Sequence, residues 1–230
     1  MDIIMLNKAM KTLSLSLVLA AGSAQATLVD YYDTITNGQT QFTSTVTGAG
    51  GSVSSETLNG LSGGTSWSLT DFTISTTDNS FENVYSASTD NSTGQMIGMD
   101  PSDLDGSGTG VGSGLTFTFN SAINAIGFEV GDWATCCFPS NLYISFDGGA
   151  VIEVASATNA NDNPATAAGG NRGDAFFIGA IDDSDTFTTV TFYGNGFGEF
   201  LTAGGTVMYS SIAVGALPVN EPTTLAILAL

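Results

Sequence analysis

Three aspartates in a short glycine-rich stretch, Asp100, Asp103 and Asp105, offer several carboxylate oxygens to one hard cation, and Gly106 lets the chain turn sharply beside them. Calcium is the ion such a loop would hold. The spacing is not that of an EF-hand. With Asp105 and Gly106 as loop positions five and six, Pro101 falls at position one and Gly112 at position twelve, where Asp and Glu are required. Asp132 is a fourth acidic candidate, and Asp182, Asp183 and Asp185 form a second cluster of the same kind. A solvated acidic loop is the competing reading for both. Gly131-Asp132-Trp133 combines an aromatic face with a carboxylate acceptor, which suits a pyranose ring if Trp133 is exposed on a rigid loop. The competing reading packs Trp133 into the edge of the core.

Cys136 and Cys137 are adjacent and are the only cysteines. In an oxidising compartment they close a vicinal disulfide that stiffens the Trp133-to-Pro139 loop. Soft-metal binding, intermolecular pairing and two free thiols are the alternatives. Two thiolates are too few for a structural zinc site, and the chain has no histidine to complete one. The same lack of histidine excludes Ser-His-Asp and Cys-His catalysis. A glycosidase needs only two carboxylates, for which Glu129, Glu153 and Glu199 are available. Outward-facing strand positions are the plainer account of Glu129 and Glu153, so the chain reads as a non-enzyme.

The elements that must position these residues are strands. Trp67 to Ile74, Leu115 to Phe119, Leu142 to Phe146 and Phe187 to Tyr193 alternate apolar and polar residues, and Thr, Phe, Val and Ile dominate them. Val151 to Val154, Ala175 to Ile181 and Val207 to Val214 add further strands. Asp147-Gly148-Gly149 reads as a tight hairpin turn. Ser86 to Gly114 and Asn159 to Asp174 read as loops, and Thr36 to Gly64 as weakly patterned chain with irregular edge strands. No helical periodicity stands out after residue 26 until the C-terminal segment. The expected fold is all-β, a two-sheet β-sandwich or jelly roll over residues 27–217, with an N-terminal signal helix and a short C-terminal apolar helix.

Charge narrows the partners. The 230-residue chain carries 3 Lys+Arg against 22 Asp+Glu, a formal charge of −19. Such a field repels nucleic-acid phosphates and anionic lipid, which excludes nucleic-acid binding and leaves cations or neutral polymers. Lys8 and Lys11 precede an apolar run from Leu13 to Ala21, and Ser23-Ala24-Gln25-Ala26 offers a small-x-small cleavage site. Residues 1–26 are therefore expected to be a signal peptide, cut before Thr27, whose removal leaves Arg172 as the only basic residue.

At the other end, Asn220-Glu221-Pro222 stands just before the apolar run Leu225 to Leu230. This resembles the PEP-CTERM sorting signal of exosortase substrates, with Asn220 where that signal has its first proline. Ile123 to Asp132, Leu142 to Gly149 and Phe176 to Gly179 resemble the β-sandwich core common among PEP-CTERM proteins, a likeness spanning Gly114 to Leu230. Ser210 to Val214 stands where that family has an Ile-Asp-Asn strand. The resemblance implies export to the periplasm, outer surface or extracellular matrix of a Gram-negative bacterium. It also implies transient inner-membrane association through a membrane anchor in residues 218–230, and processing by an exosortase near Glu221 and Pro222. A full span needs about 20 apolar residues, so the reading frame is expected to continue beyond Leu230. The function expected is a structural or interaction role at the cell surface or in an exopolysaccharide matrix. A calcium-assisted carbohydrate-binding module is the alternative, and a polysaccharide-active enzyme a distant one.

Overall fold

The computed structural model describes residues 28–100, 114–194 and 200–218, and within them thirteen strands build two sheets. The first sheet runs β1 (Leu28–Asp33), β11 (Phe176–Asp182), β8 (Ala125–Gly131), β13 (Leu201–Ser210), β6 (Met96–Met99) and β5 (Val84–Tyr85), with β2 (Ser54–Thr57) also paired to β13. The second runs β10 (Val151–Ala157), β9 (Ser140–Phe146), β12 (Phe187–Gly194), β7 (Leu115–Ile123), β4 (Phe72–Thr76) and β3 (Ser66–Ser68). Every strand pairing is antiparallel. This is an all-β, two-sheet sandwich.

Alternation builds the space between the sheets, because successive strand residues face opposite ways. Ile126, Phe128 and Val130 of β8 meet Phe117 of β7 and Phe192 of β12 in one large core. Phe117 stacks on Phe128 with ring centroids 5.0 Å apart, and Phe192 meets Phe128 edge-on at 5.0 Å.

The outer face of the first sheet is covered as well. Helix α1 (Ile35–Gly48) lies there, placing Phe42 and Val46 against Phe177 and Met208 in a second, smaller core. Two glycines make room for Phe177. A Cβ on Gly38 of α1 would stand 2.5 Å from the Phe177 ring, and a Cβ on Gly127 of β8 would collide with the same ring from the sheet side. With both faces covered, β8 is buried at every residue.

Several expectations are corrected by these elements. Thr36 to Gly64 does hold a short edge strand, β2, paired only with β13, but most of α1 lies there as well. Ser86 to Gly114 is not one loop, since it contains β6, which is buried throughout, and the short helix α2 (Ala87–Asp90). Trp67 to Ile74 is a hairpin and not a single strand, because the chain turns where Leu69 N–H donates to the Phe72 carbonyl at 2.9 Å. The expected membrane anchor is also corrected: among the described residues no helix is long and apolar enough to cross a membrane, and α1 has only 14 residues. The signal peptide of residues 1–26, the sorting residues Asn220, Glu221 and Pro222, and the apolar run after them lie outside the described residues.

Candidate functional site

Among the described residues, the acidic candidates do not gather into a cation cage. Asp100 follows β6 and Asp132 follows β8, and both strands run antiparallel to β13, with Met99 opposite Leu201 and Gly131 opposite Thr202. The two aspartates therefore leave the same end of the first sheet, but on strands separated by β13, about 10 Å apart at the usual strand spacing. Asp103 and Asp105 lie outside the described residues. Among the described residues no group of three or more His, Cys, Asp or Glu could hold a metal ion. The second acidic cluster is also dispersed. Asp183 is buried and accepts a hydrogen bond from Leu217 N–H at 2.8 Å, while Asp182 and Asp185 line an open cleft between two hairpin ends.

Trp133 is corrected as a sugar contact. It is fully buried, edge-on to Tyr32 at 5.7 Å and tilted against Phe176 at 5.3 Å. Its indole N–H donates to Ser140 Oγ at 2.9 Å, and its carbonyl accepts from Asn163 Nδ2 at 3.0 Å. The flanking residues explain the turn inward: Asp132 and Ala134 take positive φ of 55° and 61°. Cys136 and Cys137 are joined by a disulfide farther along the same loop, with Cys136 exposed.

Glu129 departs furthest from the plain account of an outward-facing strand residue. It does sit on the outer face of β8, yet it has no exposed surface. Thr93 covers it, donating from its hydroxyl and, at 2.7 Å, from its backbone N–H; Thr206 N–H donates at 3.1 Å and Gln39 Nε2 at 3.4 Å. Gly205, at φ 62°, passes so close that any side chain there would overlap the carboxylate. Burial raises the Glu129 pKa despite those donors. Asp90 shows the same pattern over Gly131. It is buried, accepts from Thr202 Oγ1 at 2.6 Å, and has its pKa raised by burial first, with a further upward push from Asp174. Both carboxylates pin the Ala87-to-Gln95 segment onto the first sheet. Their residue types gave no hint of this in the sequence, because only the tertiary fold brings Thr93 and Thr202 to them.

Glu153 stands on the opposite side of the molecule, exposed on the outer face of β10. Glycosidase carboxylates are about 5–10 Å apart across one bond. Packed sheets are already ~10 Å apart, and Glu129 and Glu153 point away from each other on the two outer faces. They cannot flank one glycosidic linkage. Glu199 lies outside the described residues.

On the outer face of the second sheet, polar groups converge around an aromatic pair. Tyr143 of β9 and Tyr193 of β12 are directly paired, with ring centroids 5.5 Å apart and planes 31° from parallel. Tyr193 is buried and Tyr143 half-buried, so Tyr193 braces the ring that meets solvent. Beside them, Asn141 Nδ2 donates to Tyr143 Oη at 3.1 Å and to Glu153 Oε2 at 3.2 Å, and Ser156 Oγ donates to Asn141 Oδ1 at 3.0 Å. Thr116 and Thr191, directly paired, place their hydroxyls 3.2 Å apart. A rigid aromatic ring edged by an amide, a carboxylate and hydroxyls can hold a ring that is apolar on its faces and hydroxylated at its rim.

Comparison with protein-family models and with curated proteins found no match. Among solved structures, the chain is similar to a mutant of a family 29 carbohydrate-binding module made to probe ligand recognition. The identity is 11%, over 86% of this chain and 100% of that one, with a TM-score of 0.32. A superposition of that size does not place the chain in that family, and function has to be read from the site.

Proposed function

We propose that this protein is a non-catalytic polysaccharide-binding module whose ligand lies on the outer face of the second sheet. The observation that carries the reading is the Tyr143 ring, braced from behind by Tyr193 and edged by Asn141 and Glu153. Stacking on the ring gives the affinity, since an aromatic side chain contributes both apolar area and a favourable face. Asn141 and Glu153 select for hydroxyls, because a polar group left without a partner in a bound complex is costly. Binding to a panel of immobilised glycans, followed by titration calorimetry on the best, tests it. Tyr143→Ala is expected to weaken the best ligand at least about tenfold, or ~1.4 kcal/mol, with the melting temperature held. Unchanged affinity in that variant, or no glycan bound by the native protein, would refute the reading.

The setting is part of the same proposal. The leader-like residues 1–26 and the Asn220-Glu221-Pro222 segment support export and exosortase processing of a protein that meets polysaccharide outside the cytoplasm. Protein recovered from the native host's surface should begin at Thr27. Recovery of unprocessed chain from the cytosol would count against export without touching the binding face.

A further inference from the structure

The hydroxyl groups of the second sheet are not scattered over its outer face. Strand register lines them up in two rows that run across the strands. One row is Ser145 of β9, Thr191 of β12, Thr116 of β7, Ser75 of β4 and Ser66 of β3, each paired with the next. The second is Thr189, Thr118, Thr73 and Ser68 on four of the same strands. All alternate with core residues such as Phe117, Ile74 and Val190, so they share the outer face, where Ser145 is nearly covered and the others are half-buried or exposed. The side chains of Ser66, Ser75, Ser145, Thr73 and Thr118 make no hydrogen bond within the described residues. They form a lattice of donors and acceptors not engaged within the sheet, with a tyrosine pair along one side.

Building on the carbohydrate-binding reading, we propose that the ligand is a neutral, extended glycan chain lying across the strands, with about one sugar over each strand of the Ser145-to-Ser66 row. The spacing supports this direction. Adjacent strands are ~4.8 Å apart, close to the advance per residue of a flat, extended chain of pyranoses, so each sugar meets an equivalent hydroxyl. A chain lying along a strand would instead meet side chains of the same face at a ~6.8 Å interval, out of step with its own repeat. Charge supports neutrality. The whole chain is at −19 with three basic residues, neither row contains a cation, and Glu153 flanks the tyrosines, so uronate or sulfate groups would be repelled. The row crosses five strands, which sets the length of the site.

The test uses cello- and chito-oligosaccharides of two to six sugars, with alginate as the anionic control, and reads affinity by calorimetry or NMR titration. Affinity is expected to climb with chain length until about five sugars and then level off, with alginate unbound. The isosteric pair Thr116→Val and Thr191→Val, made together, should lower hexasaccharide affinity about tenfold or more while leaving the disaccharide nearly unaffected. Tyr143→Ala should weaken both. If di- and hexasaccharide bind equally and the threonine variant behaves as native, the ligand sits on the tyrosines alone: the crossing chain is overturned and the carbohydrate face stands. Binding of alginate in preference to the neutral series would overturn it too. Failure of every glycan would remove the face and the chain together.

Discussion

Glu129 is an acid held by neutral donors alone, and the arrangement is sensitive to what replaces it. Removing the carboxylate would strand the Thr93 and Thr206 N–H groups that now donate to it. Each unsatisfied buried donor costs about 1–3 kcal/mol. Glu129→Leu should therefore lower unfolding stability by about 2–4 kcal/mol, measured by urea titration, and loosen the Ala87-to-Gln95 segment in hydrogen exchange. A loss under about 0.5 kcal/mol would mean that the donors find water instead. Gly205→Ala tests the same contact from the other side, because its φ of 62° and its closeness to the carboxylate both resist a side chain. The backbone conformation alone costs ~1–2 kcal/mol, and the overlap adds to it.

Among the elements, α1 was the hardest to foresee, and β8, buried at every residue, was suggested only by the family resemblance and not by alternation. The sequence Ile-Thr-Asn-Gly-Gln-Thr-Gln-Phe-Thr-Ser-Thr-Val-Thr-Gly is poor helix material, rich in β-branched residues and Gly. It is helical because Gly38, Phe42 and Val46, each four residues from the last, fit one face onto Phe177 and the sheet. Tertiary packing overrode propensity, and a faint i, i+4 repeat was the only local signal. Strand β6 was hidden for a different reason: buried on both faces, Met96 to Met99 cannot alternate. Of the strands bearing the hydroxyl rows, β7, β9 and β12 were legible, because one face is core and the other is polar, whereas the β3–β4 hairpin was read as a single strand. Their register was not legible, and so the alignment of Thr116 with Thr191 and Ser75 was invisible. Trp133 misled because an aromatic beside a turn fits a ligand platform and a core plug equally well. Gly38→Val should test the element directly. The added bulk meets the Phe177 ring, so α1 should detach from the sheet, with loss of helical circular dichroism and a melting temperature lower by several degrees.

For the whole molecule, acidity and burial together set the pH dependence. Burial raises the pKa values of Glu129 and Asp90 in the folded state. Their contributions to stability are complete below the unfolded values of about 4–4.5 and are lost as pH rises through the folded ones. Asp162 runs the other way, its pKa lowered by the Thr158 N–H and hydroxyl and by Asn159. For Asp147 burial is the largest single influence and pushes upward, but the Thr189 and Thr188 donors together outweigh it and lower the pKa. Those contributions are present above the unfolded value and fade as pH falls through the folded one. Mutual repulsion at a formal charge of −19 also relaxes on acidification. Melting temperature should therefore rise from pH 8 to a maximum near pH 4–5 and fall below it. A maximum at neutral pH would contradict this.

The last described strand has a consequence for when this molecule can exist at all. β13 lies inside the first sheet, between β8 and β6, and pairs with β2 besides. In a chain delivered N-terminus first, from a ribosome or through a translocation pore, the other twelve described strands emerge before residues 201–210 arrive. Until then β2 and β6 lack the neighbour that joins them to β8, and long-range pairing of this kind is slow to form in any case. The first sheet is thus complete only once the last of its described strands has emerged. The emerging polypeptide should remain threadable and protease-sensitive, and then gain resistance in one late step. A chain ended before Leu201 should stay unfolded by circular dichroism, however much of the second sheet it already contains.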